Sequence, residues 1–210
     1  MTQKTNKQPP VFLSPKGRTE WLKCFKADTK FDIDGVFGGK LIIDNNDATD
    51  LMKELDVLFE KAIDAAVEET GKSRDKIRTT DPYEVNQETG DVSLKFKLKA
   101  KVTTKSGDVF SQKPIVVDAK RQPITKEIPL WNGSLVRVGY QVIPYYTSLA
   151  GAGLSLRMKS VQILEAIEGA NEATTIFSEE EGYSFDPDAA VANMQDESEE
   201  VGEFADDIPF

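Results

Sequence analysis

Residues Leu94 to Val102 read Leu-Lys-Phe-Lys-Leu-Lys-Ala-Lys-Val. On a strand, neighbouring side chains face opposite ways. Leu94, Phe96, Leu98, Ala100 and Val102 would then enter a core, and Lys95, Lys97, Lys99 and Lys101 would form one cationic stripe. Same-face residues recur every ~6.5–7 Å along a strand, a spacing that the phosphates of a polyanion can follow. Like charges in a row repel, so a polyanion would relieve an unfavourable surface. The plain alternative is a solvated edge strand, where lysine blocks unwanted pairing.

A second set of cations alternates in the same way. Leu154, Leu156 and Met158 interleave with Ser155, Arg157 and Lys159, and Arg137 lies within the expected strand Ser134–Ile143. If these strands are neighbours, their cations pool into one groove. Aromatic residues lie close by in sequence: Trp21 and Phe25 beside Lys23 and Lys26, then Tyr140, then Tyr145 and Tyr146. A basic groove combined with rings that stack on bases is the chemistry of single-stranded nucleic-acid binding. Each ring could equally serve core or loop packing.

Charge is divided unevenly along the chain. The whole sequence has 26 basic and 36 acidic residues, a net charge of −10. Residues 170–210 contain no lysine or arginine and 13 acids, so the preceding residues are net +3 and the tail is −13. A one-sided acidic block reads as a disordered interaction tail. Its acids are interspersed with Ile176, Phe177, Tyr183, Phe185, Phe204 and Phe210, giving charge and rings that resemble a single nucleic-acid strand. Tethered at about millimolar effective concentration, such a segment could compete for the chain's own basic groove. A solubility tail without a partner is the bland alternative.

Other chemistry is thin. The sequence has no histidine and one cysteine, Cys24. That excludes histidine-based triads, histidine-ligated zinc and an internal disulfide. No cofactor, metal or catalytic residue is expected, and the chain is not read as an enzyme. Gly35 to Lys40 fails the phosphate-loop pattern, because Leu41 stands where Ser or Thr should follow the lysine. Asp44 to Asp50 lacks the glycine and distal glutamate of an EF-hand loop and reads better as a turn entering a helix. The start has no apolar signal segment and no run is long enough for a membrane helix, which suggests an intracellular, cytoplasmic protein with no membrane partner.

The elements expected to position these residues are mainly β, with one long helix. Residues 1–15 read as a flexible arm, 16–169 as one domain, and 170–210 as the acidic tail. Strands are expected over Gly17–Lys26, Phe31–Ile43, Val92–Val102, Val109–Val117, Ser134–Ile143 and Leu154–Leu164. Pro144 to Gly153 reads as a loop. Leu51, Leu55, Leu58, Phe59, Ala62, Ile63 and Ala66 recur at helical spacing, with Asp47 or Thr49 as cap and Gly71 at the end. This order lacks βαβ alternation and argues for a small barrel or sandwich.

Two resemblances then add to this reading. The last five residues, Asp206-Asp207-Ile208-Pro209-Phe210, are similar to the tip of bacterial SSB proteins. The segments 114–119, 132–138 and 153–162 resemble phage-encoded single-stranded DNA-binding proteins with an acidic tail ending in phenylalanine. This resemblance implies an OB-fold-like barrel, a role in DNA replication, recombination and repair inside an infected bacterial cell, and no sequence specificity. The alternating cations make Lys95, Lys97, Lys99, Lys101, Arg137, Arg157 and Lys159 the residues expected to neutralise phosphate, with Trp21, Phe25, Tyr140 and Tyr145 as stacking candidates. Asp206 to Phe210 would dock on replication or recombination proteins, and a homo-oligomer is compatible with all of this. The rival classes are an assembly protein whose acidic tail binds a basic partner, and a carboxylate- and metal-dependent nuclease.

Overall fold

The computed structural model describes residues 9–104 and 107–167. The chain divides into two units, Met1–Gly169 and Ala170–Phe210, and every described residue belongs to the first. Its strands are β1 (Val11–Leu13), β2 (Gly17–Asp28), β3 (Val36–Ile43), β4 (Thr79–Thr80), β5 (Glu84–Val85), β6 (Val92–Lys99), β7 (Lys101–Thr103), β8 (Val109–Ser111), β9 (Ile115–Val117), β10 (Leu135–Thr147) and β11 (Gly151–Glu165). Helix α1 (Asn45–Thr70) follows β3. Among the described residues, no helix is long and apolar enough to cross a membrane.

Five strands close on themselves in the order β2-β3-β6-β11-β10, with β10 returning to β2 through Leu135 and Val136. Only the β6–β11 contact within this ring is parallel. This is the Greek-key barrel of the OB-fold. Strict alternation builds it. On β6, Val92, Leu94, Phe96 and Leu98 are buried. They meet Leu41 and Ile43 of β3, Val136, Val138 and Tyr140 of β10, and Leu156, Met158 and Val161 of β11 in one core.

Helix α1 seals one side of that core. Ala48, Leu51, Leu55, Ala62, Ile63 and Ala66 are its buried positions, the three- and four-residue spacing expected of an amphipathic helix. Asp44, rather than Asp47 or Thr49, is the N-cap, and its carboxylate accepts the Asn46 N–H at 2.9 Å. Gly71 ends the helix at φ +64°, a left-handed conformation that favours glycine. Ile63 and Ala66 join Ile77 and Ala152 in a second small cluster.

Several boundaries differ from the sequence expectation, each for a local reason. The supposed N-terminal arm contains β1, because Val11 to Leu13 pair with Gly139 to Gln141 and Phe12 stacks on Tyr140. The strand expected over Val92–Val102 breaks at Ala100, whose N–H donates to Gly35 O, and β7 continues into a separate ribbon with β8. The segment Val109–Val117 also divides, since β9 pairs with β11 instead. The loop expected over Pro144–Gly153 shrinks to a turn at residues 148–150, so Tyr145 and Tyr146 lie on β10.

Candidate nucleic-acid interface

The outer face of β2, β3, β6 and β11 carries the densest set of cations in register. Lys23 of β2 lies opposite Gly38 of β3, Gly38 opposite Lys97 of β6, and Lys97 opposite Arg157 of β11. At about 4.8 Å per strand spacing, this row crosses roughly 14 Å of barrel wall. The same-face rows on either side pair Lys40 with Lys95 and Val36 with Lys99. Lys23, Lys95, Lys97, Lys99 and Arg157 are all exposed.

The floor of this face is nearly bare. Gly38 presents no side chain between Lys23 and Lys97, and a Cβ there would lie 2.5 Å from Phe96 O. The resulting groove, about 340 Å³, is lined by Trp21, Lys23, Phe31, Gly38, Lys95 and Lys97, among others. Bare floor, flanking ammonium groups and rings at the rim suit a flat base with its phosphates alongside.

A backbone irregularity aims the first ring. Between the pairs Glu20–Lys40 and Lys23–Gly38, Trp21 and Leu22 of β2 oppose Gly39 alone. Gly17 and Thr19 point inward, and plain alternation would send Trp21 after them. The extra residue, with Trp21 at φ +53°, turns the indole outward to 73% exposure and puts Leu22 and Cys24 in the core. Gly39 permits this close approach, since its Cβ would meet Leu22 Cα at 2.7 Å. Asn132 Oδ1 accepts the Trp21 N–H at 2.7 Å and holds the bulge. Burial pushes the Cys24 thiol up to about 11, so it serves as core. The second ring, Phe31, is 90% exposed in the β2–β3 connection. Its alternation with Asp32 and Ile33 puts it in the expected strand Phe31–Ile43, but β3 begins only at Val36, after Gly35 at φ +79°.

Charge in the groove is partly balanced. Lys99 Nζ lies 3.8 Å from Asp32 and Lys40 Nζ lies 3.2 Å from Glu84. Among the described residues, Lys23, Lys95, Lys97 and Arg157 form no ion pair. These four are the cations most ready for an external anion.

The other expected site residues lie elsewhere. Lys101 is exposed but belongs to the β7–β8 ribbon, so the stripe on β6 has three lysines and not four. Lys159 is half-buried at a bulge of β11, between the pairs Gly139–Ser160 and Tyr140–Met158. Arg137 pairs with Gln162, four residues along β10 from Gln141, the partner of Arg157. At the strand rise that is roughly 13 Å from the row, so the cations do not pool into one groove. Phe25 is half-buried against the core, because a second register shift after Lys23 turns it inward. Tyr140 is 1% exposed, with its ring centroid 5.8 Å from Phe12 and 5.3 Å from Phe96. It is a core residue, and burial, then the charge of Glu54, pushes its phenol up to about 12. Tyr145 lies on the outer face opposite Gly153, toward the β10–β11 turn. The tip Asp206, Asp207, Ile208, Pro209 and Phe210 lies outside the described residues.

Comparison with known proteins bears on the family and the fold. The family model described as single-stranded DNA-binding protein, bacteriophage T7, matches residues 22–166. The single-stranded DNA-binding protein of Escherichia phage T7 is 27% identical over 178 residues, covering 78% of this chain and 77% of that one. The crystal structure of gp2.5, a single-stranded DNA-binding protein encoded by bacteriophage T7, superposes with a TM-score of 0.69 at 26% identity, covering 85% of this chain and 100% of that one. The single-stranded DNA-binding protein of bacteriophage Enc34, solved in complex with ssDNA, shares the fold with a TM-score of 0.52 at 12% identity, covering 77% and 89%. The chain belongs to the family of the bacteriophage T7 single-stranded DNA-binding protein.

Proposed function

We propose that this chain coats single-stranded DNA without sequence preference during phage DNA replication and recombination. The strand crosses the outer face of β2, β3, β6 and β11. Lys23, Lys95, Lys97 and Arg157 take phosphates, and Trp21 and Phe31 take bases. The observation that carries this reading is the register row Lys23–Gly38–Lys97–Arg157 beside two exposed rings. Nothing on that row reads base edges, so binding depends on salt and hardly on sequence. A gel shift with oligo-dT tests it. The expected result is a shift that weakens steeply with salt. No shift, with the tail capturing a basic protein instead, supports the assembly rival. Loss of the oligonucleotide on adding Mg²⁺ supports the nuclease rival.

The acidic tail adds two proposals of its own. Its anionic length competes for the lysine-bearing groove, and Asp206 to Phe210 recruits replication or recombination proteins by presenting a terminal ring and carboxylate together. The support is the charge split at residue 170 and the placement of the rings within the acids. A chain lacking residues 190–210 should bind oligo-dT more tightly at low salt, with the gain fading as salt rises. Unchanged or weaker binding in that titration ends the competition idea.

A further inference from the structure

Arg137 stands apart from the groove and is half-buried on the outer wall of β10. Ser14 is bonded to Val138 on one side of it, N–H to O and Oγ to N–H, each at 2.9 Å. Gln162 is its register partner on the other side. The Arg137 Nε is buried without a hydrogen-bond partner. Among the described residues, the guanidinium forms no hydrogen bond and no ion pair. Leaving that one donor unpaired is destabilising, while the two terminal nitrogens of the guanidinium are not buried and stay open to a partner outside the fold.

The surroundings indicate what that partner is. Gln162 Nε2 donates to the carbonyl oxygens of Asp118 and Ala119 at 3.4 and 3.1 Å. These bonds hold the loop 118–122 against β11, where it presents exposed Lys120 and Arg121. The loop's one acid, Asp118, accepts the N–H groups of Lys120 and Gln122 at 2.8 and 2.7 Å. Along β11 the outer wall leads back through Lys159 to Arg157 in the groove. A planar guanidinium flanked by further cations fits a phosphate diester.

We infer that Arg137 is a second phosphate site, engaged by a DNA strand that has already crossed the groove at Arg157. The inference rests on the single-stranded DNA reading above and extends its footprint around the barrel. The acidic tail is the competing occupant, and the continuity from Arg157 through Lys159 favours the nucleic acid.

The test compares the full chain with its Arg137→Met variant in salt titrations against oligo-dT of increasing length, together with urea unfolding. Short oligonucleotides that fill only the groove should bind as they do to the wild type. Longer ones should lose about fivefold at 0.1 M salt, and their salt slope should fall by about 0.7, the value of one phosphate contact. The urea midpoint should hold or rise, because an unpaired charge has been replaced by an apolar chain of similar reach. Arg137→Lys should recover part of the slope. Wild-type affinity at every length overturns the site, as does a loss equal at every length, which points to the tail. A lowered midpoint with unchanged binding overturns it in favour of a structural role. If the wild-type chain binds no oligonucleotide of any length, the groove reading fails as well; if it binds and Arg137→Met is silent, the second site alone fails.

Discussion

A chain carrying both Lys97→Glu and Arg157→Glu should bind oligo-dT on the order of 100-fold more weakly than the wild type at 0.1 M salt. The two residues are register partners on adjacent strands, exposed, and free of ion pairs among the described residues. Losing two phosphate contacts accounts for about 25-fold at that salt, given a slope of about 0.7 per phosphate. The two new carboxylates repel the backbone and supply the remainder. The salt slope should flatten by about 1.4, which separates lost ionic contacts from general damage. Lys99→Glu alone should do less, because Asp32 already sits 3.8 Å from that ammonium. A wild-type slope in the double variant would move the path of the strand off β6 and β11.

The second large effect concerns stability and divides the aromatic residues into two kinds. Tyr140→Ala should cost about 3–5 kcal/mol in urea unfolding, the usual penalty for emptying a large buried aromatic site. Tyr140 is fully enclosed between Phe12 and Phe96, so its removal strips contacts from the barrel core and from β1 together. The folded fraction should still bind oligo-dT as the wild type does. Trp21→Ala should behave in the opposite way. Its ring is 73% exposed, so the urea midpoint should barely move, while affinity falls by the roughly 1–3 kcal/mol of one lost stack. Equal effects of the two substitutions on binding would mean that Trp21 does not touch the strand.

The sequence announces β6 because its alternation is strict, with Leu94, Phe96 and Leu98 inward and three lysines outward. The pattern fails at Ala100, where a backbone bond to Gly35 ends the strand, and composition carries no trace of that bond. The burial of Tyr140 was legible: it shares parity with Val136, Val138 and Val142, all buried. Phe25 was harder, because its side depends on a second register shift in β2. The outward turn of Trp21 depends on a bulge in β2, and Gly38 and Gly39 signal an irregularity there without saying which side chain it turns. The contact of Lys97 with Arg157 joins residues distant in the chain through a parallel pairing that no local pattern encodes. Phe31 and Ile33 alternate with Asp32 and Asp34 as in a strand, yet both lie in the β2–β3 connection, and only exposure marks Phe31 as a site residue.

The central claim is that single-stranded DNA lies across the outer face of β2, β3, β6 and β11. Photocrosslinking of a halogenated thymidine oligonucleotide to the full chain, followed by mass spectrometry of the joined peptides, measures this directly. Crosslinks are expected at Trp21 and Phe31, with Tyr140 and the exposed side of α1 unlabelled. Crosslinks concentrated on α1 or on the β7–β8 ribbon, with Trp21 and Phe31 untouched, would contradict it.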